Sequence, residues 1–349
     1  MNARILVINA GSTSVKLALY ANERMAASTQ APFRRRELNE DLAAVAATVA
    51  AFLAGAGVAP RDLSAVAARG GLLKPMAGGT YLVDEAMLAD LRAARYGEHA
   101  SNYSAIVAAD VARAGGIRAY IVDPVTVDEL GDEARVTGIP EIRRRSIFHA
   151  LNQKAVARRA CKDLGKPYAE ARLIVAHLGG GITVGAHLHG RVVDVTNALD
   201  GEGPITPERA GSIPAVDLAR LCFSGRYSLP EVNRMLVGRG GMMAHLGTSD
   251  MKEVGRRMQA GDAQAALLAR AMAYTIAREI AARAAALGGA PDAIVLTGGM
   301  AGWTWLVDEI RARVGFLAPL MLYPEPLEME ALALGVLRVL RGEEEALRY

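Results

Sequence analysis

The sequence predicts an α/β protein made of two similar lobes, and three observations carry that expectation. The chain has 349 residues, whereas single hydrophobic cores rarely grow beyond about 250–300 residues. Residues 5–20, ILVINAGSTSVKLALY, read as an apolar strand, a small polar turn and a second strand; residues 172–195, RLIVAHLGGGITVGAHLHGRVVDV, repeat that pattern around a glycine run. Short apolar runs alternate with longer helical patterns through the rest of the chain, which is the order of an α/β fold. A duplicated unit implies two like lobes with a cleft between them. The expected first lobe is 1–144, completed by a last helix at 332–349, and the second is 145–331.

The elements follow in order. The first strand meets its turn at Asn9, Gly11, Ser12, Thr13 and Ser14, and a second strand resumes near Lys16. Residues 41–53 form an Ala- and Val-rich helical run. Residues 66–68 predict a short strand ending at Arg69, Gly70 and Gly71, and residues 80–83 another. Asp84 is a side-chain acceptor placed to cap a helix over 84–95. A helix at 101–113 leads to a buried strand, 118–122, that stops at Asp123 and Pro124. The second copy gains a third strand at 191–195, after His189 and Gly190. Helices are expected at 215–221, 229–236 and 263–287, then a strand at 293–296 that runs into Thr297, Gly298 and Gly299. A helix over 305–314, a short strand at 321–322 and a helix over 328–340 complete the series.

Composition narrows the function. Hydrophobic residues make up 52% and charged residues 22%, the proportions of a soluble globular protein. The net charge of +3 arises from 40 basic and 37 acidic residues, and aromatics are 5%, so no nucleic-acid footprint is present. Two arginine triplets stand out, Arg34, Arg35, Arg36 and Arg143, Arg144, Arg145; both read as solvated surface, with a supporting role left open for the second. Cys161 and Cys222 are far apart, which argues against a zinc site or a disulfide framework and for reduced thiols in a cytoplasmic protein. No signal peptide and no bilayer-spanning run is expected. The run 263–287 is interrupted by Arg270, Arg278, Glu279 and Arg283, the pattern of a buried or half-buried helix.

The first turn brings backbone N–H groups, hydroxyls and the Lys16 ammonium to one strand end, which suits a polyphosphate. An ordinary hairpin with a polar turn is the alternative. The GxxxxGK[ST] spacing of a Walker loop is absent. Asn9, Arg69, Asp123, His177 and Gly298 all follow expected strands, and ligands of open α/β sheets bind at the carboxyl ends of strands.

The segments INAGSTSVK, ARGGLLKPMAGGTY, YGEHASN, VDP, SIFHALNQKAVARR, AHLGGG, DGEGPITPERAG, TSDMKEV and LTGGMA resemble those of the acetokinase family, in its order and over the whole chain. Within that family they look most like the branch of butyrate kinases and branched-chain fatty acid kinases. The resemblance implies the duplicated, two-lobed actin-like ATPase fold with ATP in its cleft. It also implies Mg²⁺ and a reversible transfer of phosphoryl from ATP to a small carboxylate, giving an acyl phosphate. It further implies a homodimer or a higher homo-oligomer.

That chemistry can be weighed physically. A carboxylate with a pKa of roughly 4–5 is already ionised at neutral pH, so no strong base is needed. Two like charges 4 Å apart cost on the order of 4 kcal/mol at an effective dielectric of 20, so fixed cations and a metal are required. By resemblance, Arg69 would hold the carboxylate and the incoming phosphoryl, and Arg209 its equatorial oxygens. His149 matches the phosphoryl-stabilising histidine and His99 a second active-site histidine. Asp123 matches the active-site acid, expected here to orient an Arg or a metal-bound water. Glu328 matches the Mg²⁺-associated glutamate, with Glu330 as rival, and Asn9 would touch phosphate or a metal water. Ser12, Ser14 and Lys16 would face phosphates, with His177, Gly179, Gly180 and Gly181 as the second phosphate loop. Asp250, Lys252, Gly298, Gly299 and Gly302 match the adenosine side. His187, His189 and His245 are read as structural or surface.

Gly70 and Gly71 stand where acetate kinases usually carry bulkier residues, so they are expected to leave volume for a longer acyl chain. Butyrate is the expected acid, with 2-methylpropanoate as the alternative and acetate or propionate behind both. A sugar or polyol kinase on the same fold would need an Asp base and no paired arginines. An ATP-switched binding protein like the heat-shock chaperones would need an appended peptide-binding region.

Overall fold

The computed structural model describes residues 2–11, 14–33, 38–197 and 199–349. Ser12 and the triplet Arg34, Arg35, Arg36 lie outside the described residues. Two compact units emerge: residues 1–127, 150–155 and 327–349, and residues 128–149 and 156–326. Residues 128–144 thus group with the second unit and 327–331 with the first, on the other side of the boundaries expected from sequence.

β1 (Arg4–Ala10) is buried at every position after Arg4. It pairs antiparallel with β2 (Ser14–Ala21) and parallel with β4 (Ala65–Arg69). The sheet of the first unit runs β3-β2-β1-β4-β6-β5, with β3 at Arg24–Pro32, β5 at Thr80–Leu82 and β6 at Arg118–Val122. The second unit repeats the arrangement: β7 (Arg172–Leu178) pairs antiparallel with β8 (Ile182–Leu188) and parallel with β10 (Ala293–Thr297). Its order is β11-β10-β7-β8-β9, with β9 at Arg191–Val195 and β11 at Leu320–Tyr323. The order β3-β2-β1-β4-β6 is therefore matched by β9-β8-β7-β10-β11, so the duplication read from the two hairpins extends to whole sheets.

The helices in chain order are α1 (Leu38–Gly55), α2 (Glu85–Arg92), α3 (Ser101–Gly115), α4 (Asp132–Arg135), α5 (Ala150–Leu164), α6 (Ala215–Cys222), α7 (Leu229–Leu236), α8 (Gly241–Leu246), α9 (Met251–Gln259), α10 (Ala263–Ala286), α11 (Thr304–Val314) and α12 (Glu328–Leu340). Strand alternation decides what each covers. Leu6 and Ile8 of β1 pack with Val45 and Val49 of α1 and Tyr103 and Ile106 of α3. Ile5 and Val7, on the opposite face, pack with Leu332, Val336 and Leu337 of α12. In the second unit Ile174 and Ala176 share a core with Ile276 and Ile280 of α10 and Leu306 and Ile310 of α11. Strands buried on both faces read as continuous apolar runs, which is why they were legible.

Local chemistry starts and stops the helices. The Asp84 carboxylate accepts from the Met87 N–H at 2.9 Å, as expected for the cap of α2. Asp262 accepts from the N–H groups of Gln264 and Ala265 to open α10. Several elements escaped sequence reading, among them the short helices α4, α8 and α9, the strand β3 and the helix α5. β3, RMAASTQAP, is exposed along most of its length and lacks an apolar alternation. α5 buries Asn152, Gln153 and Lys154, so polar residues occupy positions where a helical stripe should be apolar.

Gly335 lets α12 lie close against the sheet, because a Cβ there would stand 2.6 Å from Val122 Cγ1. Gly335→Ala is expected to destabilise the protein by about 1–3 kcal/mol through overpacking. A lower urea midpoint at unchanged slope is the check.

Candidate functional site

In the first unit, the end of β1, the start of β2, the end of β4 and the start of α12 surround a cavity of about 300 Å³. Six of its seven lining residues were expected in the site: Asn9, Ser14, Lys16, Arg69, His99 and Glu328, with Gly11 between them. Asn9, only 3% exposed, joins two of the others. Its Oδ1 accepts from Arg69 Nη1 at 3.4 Å, and its Nδ2 donates to Glu328 Oε2 at 3.1 Å. The two contacts fix which end of the amide faces which neighbour. Glu328 opens α12, where the helix dipole favours a carboxylate. Glu330 is exposed and does not line the cavity. Its charge instead acts on Tyr20, whose hydroxyl is pushed up to about 12 by burial first and Glu330 second. The geometry therefore places Glu328, not its rival, beside Asn9. His99 Nδ1 accepts from the Ser101 N–H at 3.1 Å and lies 2.8 Å from the Ser101 hydroxyl, so the neutral ring carries its proton on Nε2.

Three expected residues are placed differently. Asp123 is 2% exposed and does not line the cavity. Its Oδ1 accepts from the Gly79 N–H at 2.7 Å, and its own N–H donates to Gly79 O at 2.9 Å. It holds this position with φ at +39°. Gly70 and Gly71 leave no room for an acyl chain where their side chains would stand. A Cβ on Gly70 would meet Pro124 Cβ at 2.6 Å, and one on Gly71 would meet Asn102 Oδ1 at 2.2 Å. The volume expected from their small size is filled by neighbouring protein, and close packing is the reason for both glycines.

In the second unit, the turn between β7 and β8 presents Gly179, Gly180 and Gly181. His149 is the residue before α5, and its ring stacks on His177 with centroids 3.9 Å apart and planes 14° from parallel. His149 Nδ1 lies 2.9 Å from Thr183 Oγ1. His177 and Thr183 are direct partners across the β7–β8 ladder, so one rung grips the His149 ring at its face and its edge. Thr183 escaped sequence reading, although a fully buried hydroxyl in an apolar strand was a usable signal.

Arg209 lies against the glycine turn: a Cβ on Gly181 would stand 2.3 Å from its Nη1. Burial pulls its pKa down, opposed by Glu208, and Nη1 is buried with no acceptor. Thr206 fastens this loop to the turn. Its hydroxyl donates to Gly180 O at 2.9 Å and accepts from the Arg209 N–H at 3.0 Å. A buried, unmatched donor on a fixed cation is a place for an anion.

The same turn forms one wall of a cavity of about 680 Å³ within this unit. Gly179, Gly180, Asp250, Lys252, Gly299 and Gly302 line it, together with Gly255 and Trp303. Asp250 also caps α9 by accepting from the Lys252 N–H at 2.8 Å. Gly298 is not part of the lining, but its φ of +85° and the Leu178 carbonyl 2.5 Å from its Cβ position exclude other residues. The cavity is large enough for a nucleoside, and glycine backbone forms part of its wall.

Comparison with known proteins decides the family. The acetokinase family pattern matches residues 136–315. The chain is 47% identical to "Butyrate kinase 2" of Clostridium acetobutylicum and 46% identical to a "Probable butyrate kinase" of Clostridium botulinum, each over 100% of both chains. The chain belongs to the acetokinase family. The crystal structure of acetate kinase from Porphyromonas gingivalis shares its fold at a TM-score of 0.80, with 19% identity over 97% of this chain and 100% of the other. The architecture is thus the duplicated, two-lobed actin-like ATPase fold that the family resemblance implied, built on the two strand–turn–strand units.

For an acetokinase, the grip on His149 and the seat of Arg209 give two sharp expectations. Gly181→Ala should displace Arg209 and lower turnover by about 100-fold, with an unchanged far-UV circular dichroism spectrum. Thr183→Val should cut turnover by at least about 10-fold, whereas Thr183→Ser, which keeps the hydroxyl, should stay close to wild type.

Proposed function

We propose that this acetokinase is an ATP-dependent butyrate kinase. A carboxylate oxygen of butyrate attacks the γ-phosphorus of ATP, the bond to the β,γ-bridging oxygen breaks, and butyryl phosphate and ADP form. The step is reversible and moves no proton, because the acid is ionised before it binds. The observation that carries the reading is the buried, unmatched Nη1 of Arg209 beside the glycine turn. It is a donor prepared for a phosphoryl oxygen. Arg69 and Lys16 supply further fixed positive charge in the other cavity. The acyl preference is supported by full-length relatives that bear the name butyrate kinase.

The remaining roles follow from position. Arg69 holds the acceptor carboxylate, and Asn9 keeps its guanidinium in place. His149 and His99 supply neutral or charged N–H donors to phosphoryl oxygens. The glycines at 179–181 and 298–302 let a nucleotide approach the backbone, and Asp250 and Lys252 border the nucleoside. The Glu328 carboxylate fits Mg²⁺, an ion usually held by one or two carboxylates together with substrate phosphates and water, and Asn9, whose Nδ2 donates to Glu328, would contact it through a bound water. Bound there, Mg²⁺ would neutralise charge on the transferring phosphates. Asp123 has an oxygen committed to the Gly79 N–H, which favours a bracing role over that of a base and so favours a carboxylate acceptor over a hydroxyl.

Exposed apolar residues on and between α6 and α7, including Val216, Phe223 and Leu229, support assembly into a homo-oligomer. Among the described residues no helix is long and apolar enough to cross a membrane. A cytoplasmic location is supported by two unpaired cysteines, Cys161 and Cys222.

With ATP, Mg²⁺ and hydroxylamine, the purified enzyme should trap butyryl hydroxamate at least about 10-fold more efficiently than acetyl hydroxamate, the worth of two buried methylenes. A preference for acetate would overturn the butyrate reading. Arg69→Ala should lower transfer by about 10³-fold or more, as for other phosphoryl clamps.

A further inference from the structure

The second arginine triplet is not part of either cavity, yet its middle member has an unusual environment. A guanidinium has five N–H donors, and Arg144 makes five hydrogen bonds. Nε and Nη2 both donate to Glu202 Oε1, Nη1 donates to Asp194 Oδ1 and to Ala134 O, and Nη2 also donates to Val195 O. The side chain is 21% exposed. A guanidinium with its whole donor set used has nothing left for a substrate, so its effect has to be exerted through the segments it joins.

Those segments are the two that carry His149 and Arg209. Arg144 lies five residues before His149, and Glu202 seven before Arg209. The junction is reinforced beside it. Arg145 Nη2 donates to Asp200 Oδ2 at 2.8 Å, and Asn197 Nδ2 donates to both Arg145 O and Asp200 Oδ2. Behind it, Asp194 is also paired with Arg283 of α10, which is paired in turn with Glu279. The long helix of the core thus anchors the junction. Downstream, Ser212 Oγ accepts from the Gly203 N–H, and Thr206 ties the loop to Gly180.

We propose that Arg144 is a positioning residue that holds the His149 segment and the Arg209 segment at a fixed spacing. Its role in transfer rests on the reading of this chain as a carboxylate kinase. Lysine cannot replace it, because an ammonium has three donors on a flexible stem and no planar fork. Loss of the brace leaves the nucleoside cavity intact, since neither Arg144 nor Glu202 lines it. What it removes is the alignment of the two groups around the phosphoryl.

The test compares Arg144→Lys with wild type in butyrate-dependent turnover, in affinity for MgADP, and in affinity for MgADP with aluminium fluoride and butyrate, which mimics the transferring phosphoryl. Turnover should fall by about 10–100-fold, the scale of a misplacement near 1 Å. Affinity for the fluoride complex should fall in parallel, and MgADP affinity should stay within about threefold. Glu202→Gln, which keeps the side-chain volume, should show the same split and decides the matter if Arg144→Lys does not fold. Lys166→Met removes the Lys166–Asp292 pair elsewhere in the unit and should lower the melting temperature without changing the split. Equal losses of MgADP and fluoride-complex affinity, or unchanged turnover in a destabilised variant, would overturn the proposal. Wild-type enzyme that forms no acyl phosphate would instead overturn the functional reading.

Discussion

A guanidinium taken partly out of water with a donor unmatched costs about 1–3 kcal/mol, and the second unit is arranged around that cost at Arg209. The cost is tolerable only if the cation cannot relax toward solvent or toward a nearby carboxylate. Gly181 removes the Cβ that would push it outward, and Thr206 ties its backbone to the glycine turn. An anion arriving at Nη1 finds a donor already oriented and largely desolvated. Under the proposed function, that is the preorganisation phosphoryl transfer requires, since the reaction itself demands little covalent work from the protein.

The two units arrange polar groups at their strand ends in different ways on one topology. At the end of β1 the donors are side chains, and Asn9 links Arg69 to Glu328 so that a cation and a carboxylate share one cavity without collapsing on each other. At the end of β7 the turn is backbone alone. Side-chain chemistry there comes from His149, which is held by the rung that pairs His177 with Thr183. Stacked imidazoles at this spacing repel each other when both are charged. Thr183 engages the Nδ1 edge of His149.

Much of the fold was legible because its signals are local. The hairpins, the Asp84 cap and the glycines that end strands depend on residues within a few positions of one another. Two of the elements that escaped have local patterns that mislead. β3 is an exposed edge with little apolar alternation, and α5 buries polar side chains. The reading of Gly70 and Gly71 failed for a related reason. A small residue signals close approach, but sequence does not say whether ligand or protein makes that approach, and here Pro124 and Asn102 do.

The sequence by itself determined the duplicated strand–turn–strand, the kinds of residue at the strand ends, and the family to which their order belongs. These follow from periodicity, turn chemistry and motif order, all of which are written along the chain. Only the tertiary structure decided that Glu328 rather than Glu330 meets Asn9, across a separation of 319 residues. It alone brought Thr183 to His149 across 34 residues and Glu202 to Arg144 across 58. Such contacts depend on how sheets and loops converge, and no local pattern encodes the distance between side chains so far apart in sequence.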